Sequence, residues 1–333
     1  MKLSSKIANV FAEDPNKEKN YYSFEYFPPK TDQGVENLLE RIERMGRSNP
    51  FWVDVTWNAG GVTSDITLEL CAHIQKYSGL DVLMHLTCTF MTREKIIDSL
   101  DRAKELGIRN LLCLRGDPPR GAKGWVNQEN GFNYAVDLVR FVKERYGDYF
   151  CICVAAYPEV HLEASSREDD IKHLKEKVDA GADFIITQLF FDNRIFYKWV
   201  EDCRAAGIEC LIIPGIMPIL GYERFQRMIS FTKTAIPEKI FAALEPLKND
   251  DEAVQRYGVQ FGTEQTQDLM AHGFQFIHYY TMNLEQSILR MITANGTLDK
   301  TRELPFKRPT GEERKTEEVR PIFWAVKPKS YVD

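Results

Sequence analysis

The sequence predicts an α/β fold, a (β/α)8 TIM barrel with a charged C-terminal extension. Three observations point there. Eight short β-rich runs alternate with longer helical patterns between residues 20 and 295. Strict alternation of this kind implies parallel strands joined by crossover helices, and eight units are the number that closes a barrel. The length of 333 residues suits one barrel of about 250 residues with additions. The alternative, an open doubly wound sheet, usually carries a glycine fingerprint after its first strand, whereas here the first run is followed by Pro28 and Pro29.

The elements follow in order after an N-terminal segment, 1–19. YYSFEYF (21–27) is aromatic and β-forming, holds a lone carboxylate at Glu25 and stops at the two prolines. The next runs are FWVDVTW (51–57), DVLMHLTCTF (81–90), NLLCLRG (110–116) and YFCICVAAY (149–157). DFIITQLFF (183–191), ECLIIPG (209–215) and FQFIHYYT (274–281) complete the eight. Among the intervening stretches, REKIIDSLDRAKELG (93–107) is amphipathic. In EDDIKHLKEKVDAG (168–181), Ile171, Leu174 and Val178 recur at helical spacing and Gly181 closes the helix. Residues 20–295 are therefore expected to form the barrel. KTRELPFKRPTGEERKTEEVRP (300–321) is rich in charge and proline, so 296–333 is expected to be a linker or surface extension, with apolar residues returning in PIFWAVKPKSYVD.

Composition excludes several classes. Apolar residues make up 44% and charged ones 28%, the balance of a soluble globular protein. A net charge of −6 provides no global basic field for nucleic acid or an anionic membrane. The longest apolar stretches, such as FIITQLFF (184–191), are too short to span a bilayer, and the N-terminus lacks a secretory core. Seven cysteines, with Cys88, Cys113, Cys151 and Cys153 inside expected strands and no CxxC pair, suit reduced thiols in a cytoplasmic protein. No HxxxH or HxH pair, P-loop or GxSxG occurs, so metal-cage, nucleotide-triphosphatase and hydrolase readings lose ground.

Barrel chemistry sits at the C-terminal strand ends. The polar residues there are Glu25, Thr56, His85, Arg115 with Asp117, Tyr157 with Glu159 and His161, Gln188 and Tyr280. In RGDPPR (115–120), Gly116 allows backbone to approach a ligand and the prolines stiffen the exit; an internal ion pair at a sharp turn is the bland alternative. In AAYPEVH (155–161), small alanines admit something flat, and Tyr157 and His161 can stack or donate. His161 and His85 read equally well as satisfied core histidines. Asp170, His173 and Lys177 share one helix face; they are either a solvated row or an acceptor and cations aimed at a dinucleotide.

Taken together, SFEYFPPKT, VDVTWNAGG, MHLTCT, LRGDPPR, GFNYAVDLV, VAAYPEVH, LKEKVDAGADFIITQLFF, IIPGIMPI and HYYTMNLE, in this order, resemble the methylenetetrahydrofolate reductase family across 20–295. The resemblance is nearest the eukaryotic, fungal-like form, where a linker similar to VRPIFWAVKPKSY leads to a regulatory domain that binds S-adenosylmethionine. It implies an FAD-containing barrel that reduces 5,10-methylenetetrahydrofolate to 5-methyltetrahydrofolate by a ping-pong scheme, with NADPH or NADH as co-substrate, in the one-carbon metabolism that feeds methionine biosynthesis. It also implies a homo-oligomer, with a dimer formed through the regulatory domain.

Position by position, the resemblance implies that Glu25 is the general acid that helps open the folate ring, and that Asp117 engages the pterin and influences the flavin. Gln188 and Tyr280 match substrate-binding positions. Thr56, Trp57, His85, Arg115, Gly116, Asp117, Tyr134, Ala135, Tyr157, His161, Asp170 and Lys177 match FAD-binding positions, with His173 nearby. Glu25, Phe27 and Lys30 match the nicotinamide-binding stretch. Three departures stand out: His173 replaces the asparagine of bacterial members, Leu284 replaces an arginine of human-like members, and Lys30 keeps a charge where others have arginine's fork.

An ordinary glutamate, with a pKa of about 4.3, is ionised near neutrality. Burial among Tyr22, Phe24, Tyr26 and Phe27 is expected to raise Glu25 into the useful range for an acid. Two rival readings are a metal-dependent barrel lyase with Glu25, His85 and Asp117 as ligands, and a catalytically silent regulatory barrel.

Overall fold

The structure is a computed structural model that describes residues 1–16, 18–57, 64–117 and 130–298. The tail from 299, expected to be a linker, lies outside the described residues, as do 58–61 of VDVTWNAGG and Pro118–Arg120 of RGDPPR.

All eight expected runs contain parallel strands: β1 (Tyr21–Tyr26), β2 (Trp52–Val55), β3 (Val82–Thr87), β4 (Asn110–Leu114), β5 (Cys151–Ala156) and β6 (Phe184–Thr187), then β7 (Leu211–Ile213) with β8 (Gly215–Ile216), and β9 (Phe276–Tyr280). Hydrogen bonding runs in the order β7-β6-β5-β4-β3-β2-β1-β9-β8. The ninth strand arises because the seventh run is broken at Pro214: β7 pairs with β6 and β8 pairs with β9. Proline has no N–H to give the ladder, but its carbonyl accepts from His278 N at 3.0 Å, so the two half-strands close the barrel. Next to it, a Cβ on Gly215 would lie 2.3 Å from the Thr187 carbonyl oxygen. Only glycine lets the chain pass there.

The period-two alternation of each strand divides its side chains between two cores. Tyr22, Phe24 and Tyr26 of β1 face outward and pack with Leu38, Leu39, Ile42 and Met45 of α2 (Asp32–Gly46). Trp52, Leu83, Leu112, Cys151, Cys153, Phe184, Ile186, Ile213 and Phe276 fill the interior. That inner cluster includes Leu3, Ile7 and Val10 of α1 (Leu3–Glu13), so the N-terminal segment is a helix that plugs the lower end of the barrel. Leu3 N donates to Asn110 Oδ1 at 2.7 Å, and Lys6 Nζ pairs with Asp81 at 2.9 Å, which pins the plug to the strand starts.

The helices follow their capping chemistry. Asp65 lies in the first turn of α3 (Ser64–His73). α4 (Arg93–Glu105) is capped by Thr92, and Gly107 follows it at φ +74°. α5 (Ala135–Tyr146) begins after Tyr134, whose N–H donates to Asp137 at 3.1 Å. α6 (Arg167–Asp179) is capped by Ser166 and followed by Gly181 at φ +114°; α7 (Asn193–Ala205) is capped by Asp192. Between β8 and β9 the chain forms three helices, α8 (Tyr222–Thr232), α9 (Glu238–Leu244) and α10 (Asp251–Ala271), and α11 (Gln286–Ala294) follows β9. The three enclose a satellite core of Leu189, Phe191, Ile219, Phe225, Ile240, Leu244, Val254 and Phe261, which Tyr280 touches at its edge. No helix among the described residues is long and apolar enough to cross a membrane. Cys88 sits just past β3, and Cys113, Cys151 and Cys153 lie in strands; all four are buried free thiols.

Candidate active site

The C-terminal strand ends gather most of the expected residues. Glu25 leaves β1 inside the barrel, with 6% of its surface exposed. Its expected aromatic surroundings are not there: Tyr22, Phe24 and Tyr26 point to the opposite face, because neighbours in a strand alternate. Phe27 remains half-buried beyond the end of β1. The groups that face Glu25 are imidazoles. His85 Nε2 and His278 Nε2 each lie 3.7 Å from Glu25 Oε2. The apolar surroundings expected for Glu25 are therefore replaced by polar ones.

Beneath Glu25 lies Asp54, fully buried, accepting from Trp52 Nε1 at 2.7 Å and facing His85 Nε2 at 3.2 Å. Ser23 Oγ is 2.8 Å from His278 Nδ1. Burial on its own lowers the pKa of His278, but Asp54 and Glu25 outweigh it, and the imidazole is held above its ordinary value. Tyr280 stands perpendicular to the His278 ring at 5.0 Å and donates its hydroxyl to the Thr187 carbonyl at 2.7 Å. Burial, then Glu25 and Asp54, drive its phenol far up.

The rim continues through β2 and β3. Thr56 Oγ1, Trp57 Nε1 and Thr87 Oγ1 are buried without a hydrogen-bond partner among the described residues. Such orphans are costly unless a ligand completes them. After β4, Gly116 adopts φ +87°, and a Cβ there would lie 2.8 Å from the Thr87 side chain. Thr89 N donates to the Arg115 carbonyl at 2.8 Å, which fixes this turn. The Arg115 guanidinium pairs with Glu163 and lies 4.9 Å over the ring of Tyr134, itself 57% exposed. Ala135 opens α5 beside it, and Asp117 is exposed at the rim.

On the β5 side, Tyr157 and His161 meet edge to face at 4.7 Å. Burial first, then Asp117 and Asp170, raise the Tyr157 phenol. Asp170 of α6 accepts from His161 N at 3.2 Å, and Lys177 donates to the Ala155 carbonyl at 2.6 Å. Burial pulls the Lys177 ammonium down to about 8, with Asp170 opposing. His173 is exposed on the same helix; burial raises the Asp170 carboxyl, with the His161 N–H, Lys177, His161 and, least, His173 opposing. Glu159 accepts from Ala235 N at 2.6 Å and so holds the loop before α9. Gln188 is half-buried after β6, its Oε1 accepting from Leu189 N at 2.9 Å. Lys30 is exposed beyond the prolines.

Leu284 follows a turn in which Met282 and Asn283 both take positive φ. The Asn283 side chain accepts from Phe27 N and donates to the Phe27 carbonyl, each at 2.8 Å, clamping the segment that leaves β1. Strand-end reasoning passes over Asn283, Asp54 and His278. The last two were legible by alternation, since Asp54 stands two residues before Thr56 and His278 two before Tyr280. Among the described residues no group of three His, Cys, Asp or Glu can hold a metal ion, so the ligand set of the lyase reading is not assembled there.

Comparison with known proteins gives a consistent result. The family model described as Methylenetetrahydrofolate reductase matches residues 10–296. The chain is 48% identical, over its whole length, to 57% of Methylenetetrahydrofolate reductase (NADH) 1 of Arabidopsis thaliana. It is 45% identical over 94% of its length to 54% of Methylenetetrahydrofolate reductase 2 of Saccharomyces cerevisiae. It thus spans little more than half the length of these curated relatives. Among solved structures, an uncharacterized protein from Clostridium thermocellum that binds two copies of 5-methyl-5,6,7,8-tetrahydrofolic acid shares the fold, with a TM-score of 0.55 at 14% identity over 86% of this chain and 97% of that one.

Proposed function

Because this chain belongs to the methylenetetrahydrofolate reductase family, we propose that its barrel reduces 5,10-methylenetetrahydrofolate to 5-methyltetrahydrofolate, with NADH or NADPH as donor, by a ping-pong scheme through FAD. The observation that carries this reading is the buried carboxyl of Glu25 inside the C-terminal mouth, within a rim of polar side chains that await a ligand.

The residues present fit FAD. Thr56 Oγ1, Trp57 Nε1 and Thr87 Oγ1 are buried and unpartnered among the described residues. Gly116 keeps the β4 exit free of a side chain. Arg115 and Lys177 supply cations for a diphosphate, and Asp170 an acceptor for ribose hydroxyls. Tyr157 and His161 border a place for a flat ring. When bound, FAD supplies a ring that takes a hydride from one partner and yields it to the next.

The chain's own side chains do the rest. Glu25 holds the proton that a weakly basic folate nitrogen takes as the five-membered ring opens. Gln188 presents amide N–H donors to the pterin edge, Tyr280 packs at its side, and Asp117 meets the pterin from the rim. The Phe27–Lys30 stretch, braced by Asn283, receives the nicotinamide donor.

Half-reactions test the assignment. Glu25→Gln should leave flavin reduction by NAD(P)H largely intact and slow folate reduction by about 10²–10⁴-fold. Equal loss of both half-reactions in a variant that still holds FAD removes Glu25 from the acid's role. Asp117→Asn should raise the flavin's reduction potential and weaken folate binding; unchanged values of both place Asp117 outside the site.

A further inference from the structure

Glu25 and Asp54 are register partners on adjacent strands, both buried, both acids. Two carboxylates taken from water into a barrel interior are costly unless positive charge offsets them. The only imidazoles among the described residues close enough to do so are His85 and His278, and each is shared by both acids. His85 Nε2 is 3.2 Å from Asp54 Oδ2 and 3.7 Å from Glu25 Oε2. His278 Nδ1 is 3.7 Å from Asp54 Oδ1, and its Nε2 is 3.7 Å from Glu25 Oε2. Asp54 has no exposed surface, whereas Glu25 retains 6%. The lower acid is thus sealed and the upper one opens on the mouth.

We propose that Asp54 is a positioning residue: its sealed carboxylate retains one proton on the His85–His278 pair beneath Glu25, and so sets the pH above which Glu25 is no longer resupplied. This rests on the reading of Glu25 as the acid. In each cycle the substrate nitrogen takes the Glu25 proton, and the carboxylate takes one from the His278 imidazolium, whose N–H bond breaks as the new O–H bond forms. The neutral imidazole then regains a proton from solvent through the mouth, and no electrons move. A shift of under about 1 Å brings His278 Nε2 and Glu25 Oε2 into hydrogen-bond range.

The groups facing this pair are few. Glu25 and Ser23 come from β1, Asp54 from β2 and Tyr280 from β9, with Cys153 of β5 and Tyr157 beyond it close to Tyr280. The Tyr280 phenol and the Cys153 thiol are pushed far up by burial and stay neutral, so the charges that face His278 are those of the two acids, acting against its burial. The raised His278 value has a second consequence. Its share of stability is full below the unfolded value of about 6.5 and is lost as pH rises through the folded value.

The test is histidine-selective NMR of the purified holoprotein between about pH 5 and 9, the range in which imidazoles titrate. The His278 imidazole should remain imidazolium above the ordinary histidine value. In Asp54→Asn that signal should titrate at least about tenfold more readily, and the alkaline limb of the folate half-reaction should move to lower pH by the same amount, with the acid plateau retained. A wild-type His278 that titrates at or below the ordinary value overturns the inference whether or not the variant folds. So does a folded variant with an unshifted titration. Failure of the reductase reading would look different: no flavin reduction by NAD(P)H and no turnover of folate, with the imidazole titration as stated.

Discussion

Lys177 shows what burial does to a single ammonium. Its ammonium is half-buried and donates to the Ala155 carbonyl, and burial brings it down to about 8. Between that value and the unfolded 10.5 the unfolded chain binds more protons, so this group makes stability rise with pH across the window. An anion beside Lys177 favours the charged form and should flatten the rise. In urea unfolding from about pH 7 to 10 the buried thiols, raised by burial, make stability fall with pH, so the parent apoprotein should gain relative to Lys177→Met as pH rises, and that difference should shrink with FAD bound. An identical slope in Lys177→Met and the parent would mean that the ammonium is solvated and unperturbed.

At the scale of elements, α1 makes the barrel a closed core at its lower end. Ile7 is buried against the inner cluster of Trp52, Phe184 and Phe276, while Lys6 and Leu3 tie the helix to Asp81 and Asn110. Truncation of a buried isoleucine leaves a cavity as well as a lost transfer term, so Ile7→Ala should cost about 2–4 kcal/mol in unfolding free energy. A cost under about 0.5 kcal/mol would show a helix merely resting on the surface. The strands carry a parallel lesson. β1 offers its aromatics to α2 and its Ser23 and Glu25 to the interior, so the environment of Glu25 is set by β2, β3 and β9 and not by its own neighbours in sequence.

For the whole molecule, the decisive joint is the break at Pro214. Half-strands β7 and β8 join the two ends of the sheet, and the passage is open because residue 215 lacks a side chain. A Cβ there would meet the Thr187 carbonyl at 2.3 Å and the Tyr280 ring at 2.6 Å, backbone and a half-buried aromatic held by its hydrogen bond to that same carbonyl. Gly215→Ala should cost about 1–3 kcal/mol and weaken substrate binding through Tyr280, read by denaturant titration beside a folate-binding isotherm. Full stability in that variant would show that the seam relaxes freely. The seam also links fold to site, since Tyr280 and His278 stand on the strand that β8 meets.

Local pattern determined the strands, their parallel order, the barrel and most of the rim, because period-two and helical spacing are written in neighbouring residues. Glu25, Thr56, His85, Arg115, Tyr157, Gln188 and Tyr280 were legible as polar residues ending apolar runs. Tertiary structure alone decided what lies opposite them. That α1 fills the lower end, that the seventh strand splits at Pro214, and that Glu25 meets His85 and His278 above Asp54 all depend on residues distant in the chain. Glu25 and His278 are 253 positions apart, and only barrel closure brings them within 3.7 Å. Strand alternation tells which face a side chain takes, but not what the other strands bring to that face.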